Sequence, residues 1–539
     1  MTAVDSLDKQ GVRMNAAIAP VGKNAPAASN ALSKDASDEI RSRHSKELII
    51  GLSGPVGCGL EHVKRVLRQQ LELHGYDVVD IKVSAQFAEL ARRFGLPEPP
   101  SSFANEYERI SAFQDLGNSL RSRVGGDLAA QLAVSMIAQD RTAKNPGMPV
   151  QDIKPGRVAY IIDQLKNPSE AILLREIYGN IFYLIGILTG YEKRKSYLSA
   201  LMGGANAEQL IERDRAESGS SGQQLEKTLK LADYFVRNDS DNTPELEAPI
   251  RRFVKLLHGA PGITPTLLER GMHSAYSASL RSACLSRQVG AAILDSDGIL
   301  ISTGCNDVPK AGGGLYDESG NDQRCVFREG GICFNDKHKD RLRDEIEQLL
   351  INRGVAKSQA SLLAREIRSG TRLKDLIEFS RAVHAEMDAI ISAARRGGSA
   401  IQGCLLFTTT YPCHNCARHI VAAGISAVYF IEPYGKSLAS ELHDDAISHA
   451  PSSSAASATG KVAFLHFEGV APARFSSLFF SLDSRKDSAG KARFVREEQS
   501  EKRAPELLDN YRELEAKINE RLKKKVDEAE SAFIPDGVA

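Results

Sequence analysis

Short apolar runs alternate with helix-like stretches through the first half of the chain. The runs lie at residues 48–52, 76–79, 158–162 and 181–187. Runs of this length are typical of buried strands, and a glycine-rich turn and a helical pattern follow the first of them. Strands that alternate with helices form a parallel sheet with crossover helices. We therefore predict an α/β domain with a parallel sheet over residues 45–245.

A second series of strands follows the Gly- and Pro-rich step at residues 259–262. A helical pattern near residues 266–286 precedes a predicted hairpin with strands at 289–294 and 299–303. Later strands are predicted at residues 405–409, 428–431 and 462–467. Residues 312–376 are rich in glycine and charge, and their length indicates an insertion. The second domain is thus predicted over residues 260–485.

The two ends of the chain differ from these domains. Residues 1–44 are rich in Ala, Ser, Asn and Lys without apolar periodicity, which predicts a disordered tail. Residues 486–539 are mostly charged and carry apolar residues at helical spacing, which predicts a charged helical C-terminal tail.

Composition narrows the choice of partner and compartment. Lys+Arg and Asp+Glu both total 69, so no global basic field favours a long polyanion over a small substrate. The sequence contains no apolar run of the roughly 18 residues needed to cross a bilayer and no signal-peptide pattern, so we expect no membrane partner and a cytoplasmic location. Eight cysteines are sparse in 539 residues, and a close Cys pair in a reducing compartment indicates a metal site.

Two short motifs carry the candidate chemistry. His384-Ala385-Glu386 begins an amphipathic pattern, and Pro412-Cys413-His414-Asn415-Cys416 lies where a strand gives way to a helix. One imidazole and two thiolates suit a zinc ion that keeps a fourth position open for water. Glu386 then serves as the general acid and base that takes the water proton and delivers it to a cytosine ring and its leaving ammonia. We predict His384, Cys413 and Cys416 as zinc ligands and Glu386 as the catalytic residue.

Two alternative metal interpretations remain. A closed zinc knuckle would add His414 or Cys404 as a fourth ligand, but it leaves Glu386 and Pro412 without a role. A second zinc ion beside the insertion, on Cys284, Cys325, Cys333 or His338, is implied only by a resemblance to deoxycytidylate deaminases, some of which carry an extra zinc. The spacing of these residues is irregular, and the alternative is that the cysteines are reduced and buried.

Residues from about 270 to 480 resemble the deoxycytidylate deaminase branch of the cytidine deaminase fold. Besides the zinc motifs, the resemblance rests on residues 287–291 and on the loop Gly304-Cys305-Asn306-Asp307-Val308-Pro309, in which Cys305 replaces the family's usual Tyr. It implies a three-layer α/β/α domain in which Asn306 binds the sugar or base edge, with Thr303 nearby and Tyr434 beside the sugar and phosphate. Arg287 and Lys436 are candidate phosphate partners, because a nucleotide needs its charge neutralised.

The first domain contains a glycine-rich loop, Gly54-Pro55-Val56-Gly57-Cys58-Gly59, between a predicted strand and helix. Its G-x-x-x-x-G core is that of a phosphate-binding loop, but Leu60 and Glu61 replace the Lys and the Ser or Thr that touch phosphate and magnesium. The loop and later basic segments resemble nucleoside monophosphate kinases. Backbone amides at a helix start can still hold phosphate, so we expect a regulatory nucleotide here rather than phosphoryl transfer. The alternative is a decayed P-loop fold that is kept as a scaffold.

The order of a P-loop kinase-like domain and a deoxycytidylate deaminase domain resembles the bacterial antiphage dCTP/dCMP deaminases. The resemblance implies a hydrolase acting on cyclic amidines that converts dCTP or dCMP to dUTP or dUMP, depletes dCTP during phage infection and is restrained until then. It also implies a homo-oligomer, and a regulatory RNA or protein partner is compatible with it. The alternatives are a DNA- or RNA-editing deaminase and a nucleotide sensor without activity.

Overall fold

A computed structural model describes residues 40–149, 152–215, 224–239, 243–397, 400–433, 437–449, 460–480, 485–492, 497–500 and 502–533. The chain divides into two units, Met1–Arg43 and His44–Ala539, and the elements below belong to the second. The strands are β1 (Leu48–Ser53), β2 (Asp77–Ile81), β3 (Val158–Ile162), β4 (Phe182–Leu188), β5 (Tyr234–Arg237), β6 (Gly290–Leu294), β7 (Leu300–Cys305), β8 (Leu405–Thr410), β9 (Ala427–Glu432), β10 (Ile447–Ser448), β11 (Val462–His466) and β12 (Gly469–Val470).

The helices frame these strands in chain order. They are α1 (Leu60–Leu73), α2 (Phe87–Arg93), α3 (Glu106–Val124), α4 (Leu128–Ala143), α5 (Pro168–Tyr178), α6 (Tyr191–Met202), α7 (Gly204–Arg215), α8 (Leu225–Leu229), α9 (Thr243–Leu257), α10 (Leu267–Ser279), α11 (Phe334–Asn352), α12 (Lys357–Gly370), α13 (Ala385–Arg395), α14 (His414–Ala422), α15 (Ala439–Leu442), α16 (Phe475–Phe479) and α17 (Leu508–Phe533). Within the described ranges, no helix is both long and apolar enough to cross a membrane.

The first sheet has the strand order β12-β5-β4-β1-β3-β2. Its first five strands in sequence are parallel, whereas β12 runs antiparallel to β5. Every residue of β1 is buried, because helices cover both faces: Ile50 packs in a core with Val63 of α1, and Ile49 packs in another core with Leu174 of α5. The loop after β1 therefore leaves the centre of the sheet, between β3 and β4.

The second sheet has the order β10-β11-β9-β8-β6-β7. The β6–β7 hairpin is antiparallel, as is the pairing of β6 with β8, whereas β8, β9, β11 and β10 are parallel. Alternate residues of β6 face opposite layers: Ala291 and Ile293 pack with Ala389 of α13, and Ala292 packs with Met272 of α10. The chain is thus α/β with two mixed, mostly parallel sheets, and the parallel sheet and hairpin predicted from the sequence are confirmed.

The two sheets share buried contacts that the strand pattern does not predict. β12 comes from the far end of the second half and completes the edge of the first sheet. Phe235 of β5 and Phe467 lie with their ring centroids 6.0 Å apart. In α17, Glu515 forms an ion pair with Arg141 of α4, so the C-terminal helix packs on the first sheet's helices instead of trailing from the fold.

Candidate active site

The start of α13 carries the first metal ligand. His384 precedes the helix with extended backbone angles, φ −78° and ψ 155°, and Glu386 lies in its first turn. Strand β7 approaches this turn so closely that a Cβ atom on Gly304 would lie 2.2 Å from the Ala385 carbonyl oxygen and 2.3 Å from the Ala389 nitrogen. Glycine is therefore required at position 304, and the contact fixes the start of α13 against the sheet.

The start of α14 carries the two thiols. Strand β8 ends at Thr410, and Cys413 precedes the helix, where its Sγ accepts a hydrogen bond from the Cys416 backbone N–H at 3.5 Å. His384 Nδ1 lies 3.3 Å from Cys413 Sγ and 3.4 Å from Cys416 Sγ. The three ligand atoms lie within 4.8 Å of one another, so they can share one ion.

The electrostatics of this cluster favour a thiolate. Hydrogen bonds with Cys416 and His384 lower the pKa of Cys413 to about 4, although burial acts in the opposite direction. The hydrogen bond with Cys413, together with burial, raises the pKa of Cys416. A zinc ion binds thiolates and neutral imidazole and releases the protons that these groups otherwise share. The donor set and its closeness fit a zinc ion with three protein ligands and one open position.

Glu386 lies beside the cluster without belonging to it. Its side chain is 4% exposed, and burial raises the pKa of its carboxyl group, as does the negative charge of Cys413. Glu386 lines the same cavity as His384 and Cys413. A carboxyl group placed in this way can accept and return a proton next to a bound substrate.

The cavity has a volume of about 360 Å³, and much of its wall comes from the insertion. Asn335, Asp336, Lys339 and Lys374 line it together with Arg287. Lys339 is 6% exposed, and its Nζ donates a hydrogen bond to the Lys374 carbonyl oxygen at 2.8 Å. The insertion predicted over residues 312–376 thus lines the cavity, but its lysines carry no recognisable motif in the sequence.

The candidate substrate residues have different positions. Asn306 lines the cavity, and its amide group holds the neighbouring loop: Oδ1 accepts the Val289 N–H at 2.7 Å, and Nδ2 donates to the Arg287 carbonyl oxygen at 2.8 Å. Thr303 lies between Ser302 and Gly304 in β7. The Ser302 hydroxyl donates a hydrogen bond to the Ala389 carbonyl oxygen of α13. Side chains alternate along a strand, so Thr303 faces away from α13 and does not line the cavity. Two further candidates, Tyr434 and Lys436, lie outside the described residues.

A charged contact connects the first domain to the cavity wall. Lys230, just after α8, lies with its Nζ 2.7 Å from Glu432 Oε2 at the end of β9. The same oxygen accepts a hydrogen bond from Thr410 Oγ1 at 3.2 Å and lies 3.9 Å from the guanidinium of Arg287. Thr410 and Arg287 both line the cavity. The sequence pattern gave no indication of this contact, because Lys230 and Glu432 lie about 200 residues apart in the chain, the first after α8 and the second at the end of β9.

The described part of the chain contains no second cluster of metal-binding side chains that would support the alternative metal interpretations. There, the one group of three or more His, Cys, Asp or Glu ligand atoms within 4.8 Å is His384, Cys413 and Cys416. His414 and Cys404 do not join it, which leaves no fourth ligand for a closed knuckle. Cys284, Cys325 and Cys333 line a neighbouring cavity of about 20 Å³, but their sulfur atoms do not all lie within 4.8 Å of one another. The His338 ring stacks on Phe379.

The glycine-rich loop belongs to the other sheet. Residues 54–59 follow β1 and precede α1, as predicted, and Gly57 and Gly59 adopt positive φ angles of 77° and 73°. No residue of this loop lines the cavity that holds Glu386.

Comparison with known proteins places the deaminase motifs in a family. The model of the cytidine and deoxycytidylate deaminase zinc-binding region matches residues 265–432, which include all three ligands and Glu386. The deoxycytidylate deaminase of Enterobacteria phage T2 is 34% identical over 164 residues, which cover 30% of this chain and 78% of the phage protein. That of phage T4 is 32% identical over 164 residues, with 30% and 76% covered. A crystal structure of the cyanophage S-TIM5 dCMP deaminase is 19% identical and covers 38% of this chain and 99% of that one, with a TM-score of 0.21.

The site and the matched region together define a zinc-dependent hydrolytic deaminase. The phage enzymes are more than 30% identical to the chain over most of their own length. The chain therefore belongs to the deoxycytidylate deaminase family.

Proposed function

We propose that the chain removes the amino group of deoxycytidine nucleotides by hydrolysis, converting dCMP and dCTP to dUMP and dUTP with release of ammonia. The observation that carries the proposal is the His384, Cys413 and Cys416 cluster next to buried Glu386 on the wall of one cavity. His384, Cys413 and Cys416 would hold a zinc ion, which would act as a Lewis acid and lower the pKa of water.

The chain's own residues supply the remaining steps. The Glu386 carboxylate accepts a proton from the attacking water and delivers it to N3 of the cytosine; it then takes the remaining proton of that oxygen, now bound to C4, and passes it to the amino group, which leaves as ammonia. The new C4–oxygen bond replaces the broken C4–nitrogen bond, so the product is the uracil base. Asn306 shapes the wall through its bonds to the backbone of Arg287 and Val289.

Cations on the wall support a phosphorylated substrate. Arg287, Lys339 and Lys374 line the cavity, and such groups form charge-assisted hydrogen bonds with phosphate. Asp336 and Asp375 line the cavity as well, so a phosphate group would be neutralised next to the cations and not across the whole wall. We include Tyr434 and Lys436 in the proposed nucleotide site. On the basis of the resemblance of its domain order, we further propose that dCTP depletion serves antiphage defence and that the enzyme is an oligomer. We also propose that the backbone amides of the glycine-rich loop hold a regulatory nucleotide and that the enzyme is cytoplasmic.

Incubation of the full-length chain with cytidine, deoxycytidine, CMP, CTP, dCMP, dCTP and single-stranded DNA, with and without a zinc chelator, tests the proposal. We expect chelator-sensitive formation of dUMP and dUTP, and its loss in Glu386→Gln. Uracil formation in single-stranded DNA but in no free nucleotide, or no ammonia from any substrate, contradicts it.

A further inference from the structure

The glycine-rich loop already holds an anion, which is the side chain of Asp214. The Val56 backbone N–H donates a hydrogen bond to Asp214 Oδ2 at 2.6 Å. Asp214 lies near the end of α7 and is 1% exposed. Backbone N–H groups of a loop at a helix start attract phosphate in other proteins, and here one of them binds a carboxylate from the same chain.

Two cations flank this carboxylate. Lys166 Nζ forms an ion pair with Asp214 Oδ1, and Lys166 is 5% exposed. A Cβ atom on Gly57 would lie 3.5 Å from Arg194 Cβ, so Arg194 borders the loop as well; burial lowers the pKa of Arg194, and the charge of Asp214 acts in the opposite direction. Lys166 thus supplies a buried cation at the loop, where Leu60 stands in the position of the usual loop lysine. A buried cation needs a counter-charge, so this site is stable with an anion in it and unstable without one.

A further polar group points into the loop. Asn238 is 4% exposed, its Nδ2 donates to the Cys58 carbonyl oxygen at 2.8 Å, and its buried Oδ1 has no hydrogen-bond partner among the described residues. A Cβ atom on Gly59 would lie 2.3 Å from Asn238 Nδ2. Asn238 therefore packs closely against the loop at Gly59, and Asp214 accepts a hydrogen bond from the loop at the Val56 backbone N–H.

The part of the fold that carries Asp214 packs separately from the main cores. Val56 of the loop forms a small apolar cluster with Leu198 and Met202 of α6 and Ala207, Leu210 and Ile211 of α7. Helix α7 thus packs on the loop through this local cluster, which is separate from the cores on either face of the sheet.

The position that would hold magnesium is also filled by the chain. Asp163, which follows β3, lies with Oδ2 3.1 Å from Lys64 Nζ, and Lys64 also pairs with Glu61 at 3.0 Å. In P-loop enzymes a carboxylate at the end of such a strand holds the metal ion. A ligand of this loop therefore needs to bring phosphate but not magnesium.

We propose that Asp214 is the resident anion of the glycine-rich loop and that the di- or triphosphate group of a nucleotide enters only by replacing it, together with release of α7. The inference rests on the proposed regulatory nucleotide and is independent of the deaminase chemistry. Exchange of one anion for another keeps Lys166 and Arg194 neutralised in both states.

Binding of inorganic pyrophosphate to the full-length chain in magnesium-free buffer tests this inference, with calorimetry for the affinity and hydrogen exchange for the location. Asp214→Asn removes the competing charge with little change of shape. We expect it to bind pyrophosphate at the loop at least tenfold more tightly than the unchanged chain. The matched control is Asp115→Asn. Asp115 lies in α3 and forms a surface ion pair with Arg213, the neighbour of Asp214 in α7. We expect its affinity to equal that of the unchanged chain.

The outcomes separate the two proposals. Equal affinities of the unchanged chain and Asp214→Asn overturn the role of Asp214 and leave a phosphate site at the loop. Absence of pyrophosphate from the loop in both overturns the regulatory site as well. If Asp214→Asn fails to fold, the unchanged chain decides: saturating pyrophosphate that speeds exchange in α7 supports the proposal, and unchanged exchange in α7 overturns it.

Discussion

Replacement of Lys339 by Met isolates the contribution of one buried cation to nucleotide binding. Lys339 lines the cavity, is 6% exposed and lies in α11 of the insertion. Met keeps most of the aliphatic side chain, so the change removes the charge and little packing. A hydrogen bond to a charged group contributes about 1.5–3 kcal/mol, which corresponds to roughly 10- to 150-fold in affinity.

We therefore expect Lys339→Met to raise the KM for dCMP by about one to two orders of magnitude and to leave the KM for deoxycytidine nearly unchanged. Steady-state kinetics with both substrates measure the difference. Lys337→Met is the matched control, because Lys337 lies on the same helix but pairs with Glu329 and does not line the cavity. Equal changes in KM for dCMP and deoxycytidine, or none for either, would refute the assignment of Lys339 to phosphate.

Three further predictions concern metal, pH and stability. Cys416→Ser removes a ligand, so elemental analysis should show zinc falling from about one ion per chain to a small fraction, whereas Cys404→Ser should retain it. Burial lowers the pKa of His258 to about 4, below the ordinary value of 6.5, so the unfolded chain binds the extra proton between these values and stability falls as pH drops from 6.5 to 4. His258→Gln should reduce this loss by about 3 kcal/mol in denaturant unfolding, whereas His466, whose pKa burial also lowers to about 4, keeps part of the pH dependence. Arg141→Met leaves Glu515 of α17 buried without its partner, so we expect a loss of about 3–5 kcal/mol and faster hydrogen exchange in α17.

Local motifs explain why the metal ligands could be predicted from the sequence. His384, Cys413 and Cys416 each lie at or near a helix start, and spacing along a single turn brings the two thiols together. The strands of both sheets were predictable for a similar reason, because a buried strand is a continuous apolar run. The short strands β5, β10 and β12 were not predicted, since two to four residues are too few to show a pattern.

Long-range contacts explain what the sequence could not predict. Lys339 is placed at the cavity by the packing of an insertion, and Lys230 meets Glu432 across the two sheets, so neither has a local signal. Thr303 shows a different limit: the resemblance placed it near the substrate, but the alternation of β7 turns Ser302 and Gly304 toward α13 and Thr303 away from it.

A proposed restraint of the deaminase by the first domain cannot be tested by deleting that domain, because buried contacts join it to the second sheet and its helices. Glu269 of α10 is buried and forms an ion pair with Arg252 of α9 at 2.7 Å, while Val470 of β12 donates its N–H to the same carboxylate at 2.9 Å. A chain without residues 1–260 would leave Glu269 charged and without Arg252, and β12 without its sheet, so lost activity would report misfolding. Lys230 differs, because its side chain is 36% exposed and a surface ion pair contributes about 1 kcal/mol or less. Its contact with Glu432 can be cut while both sheets keep their partners, so a change in turnover there reports coupling rather than collapse.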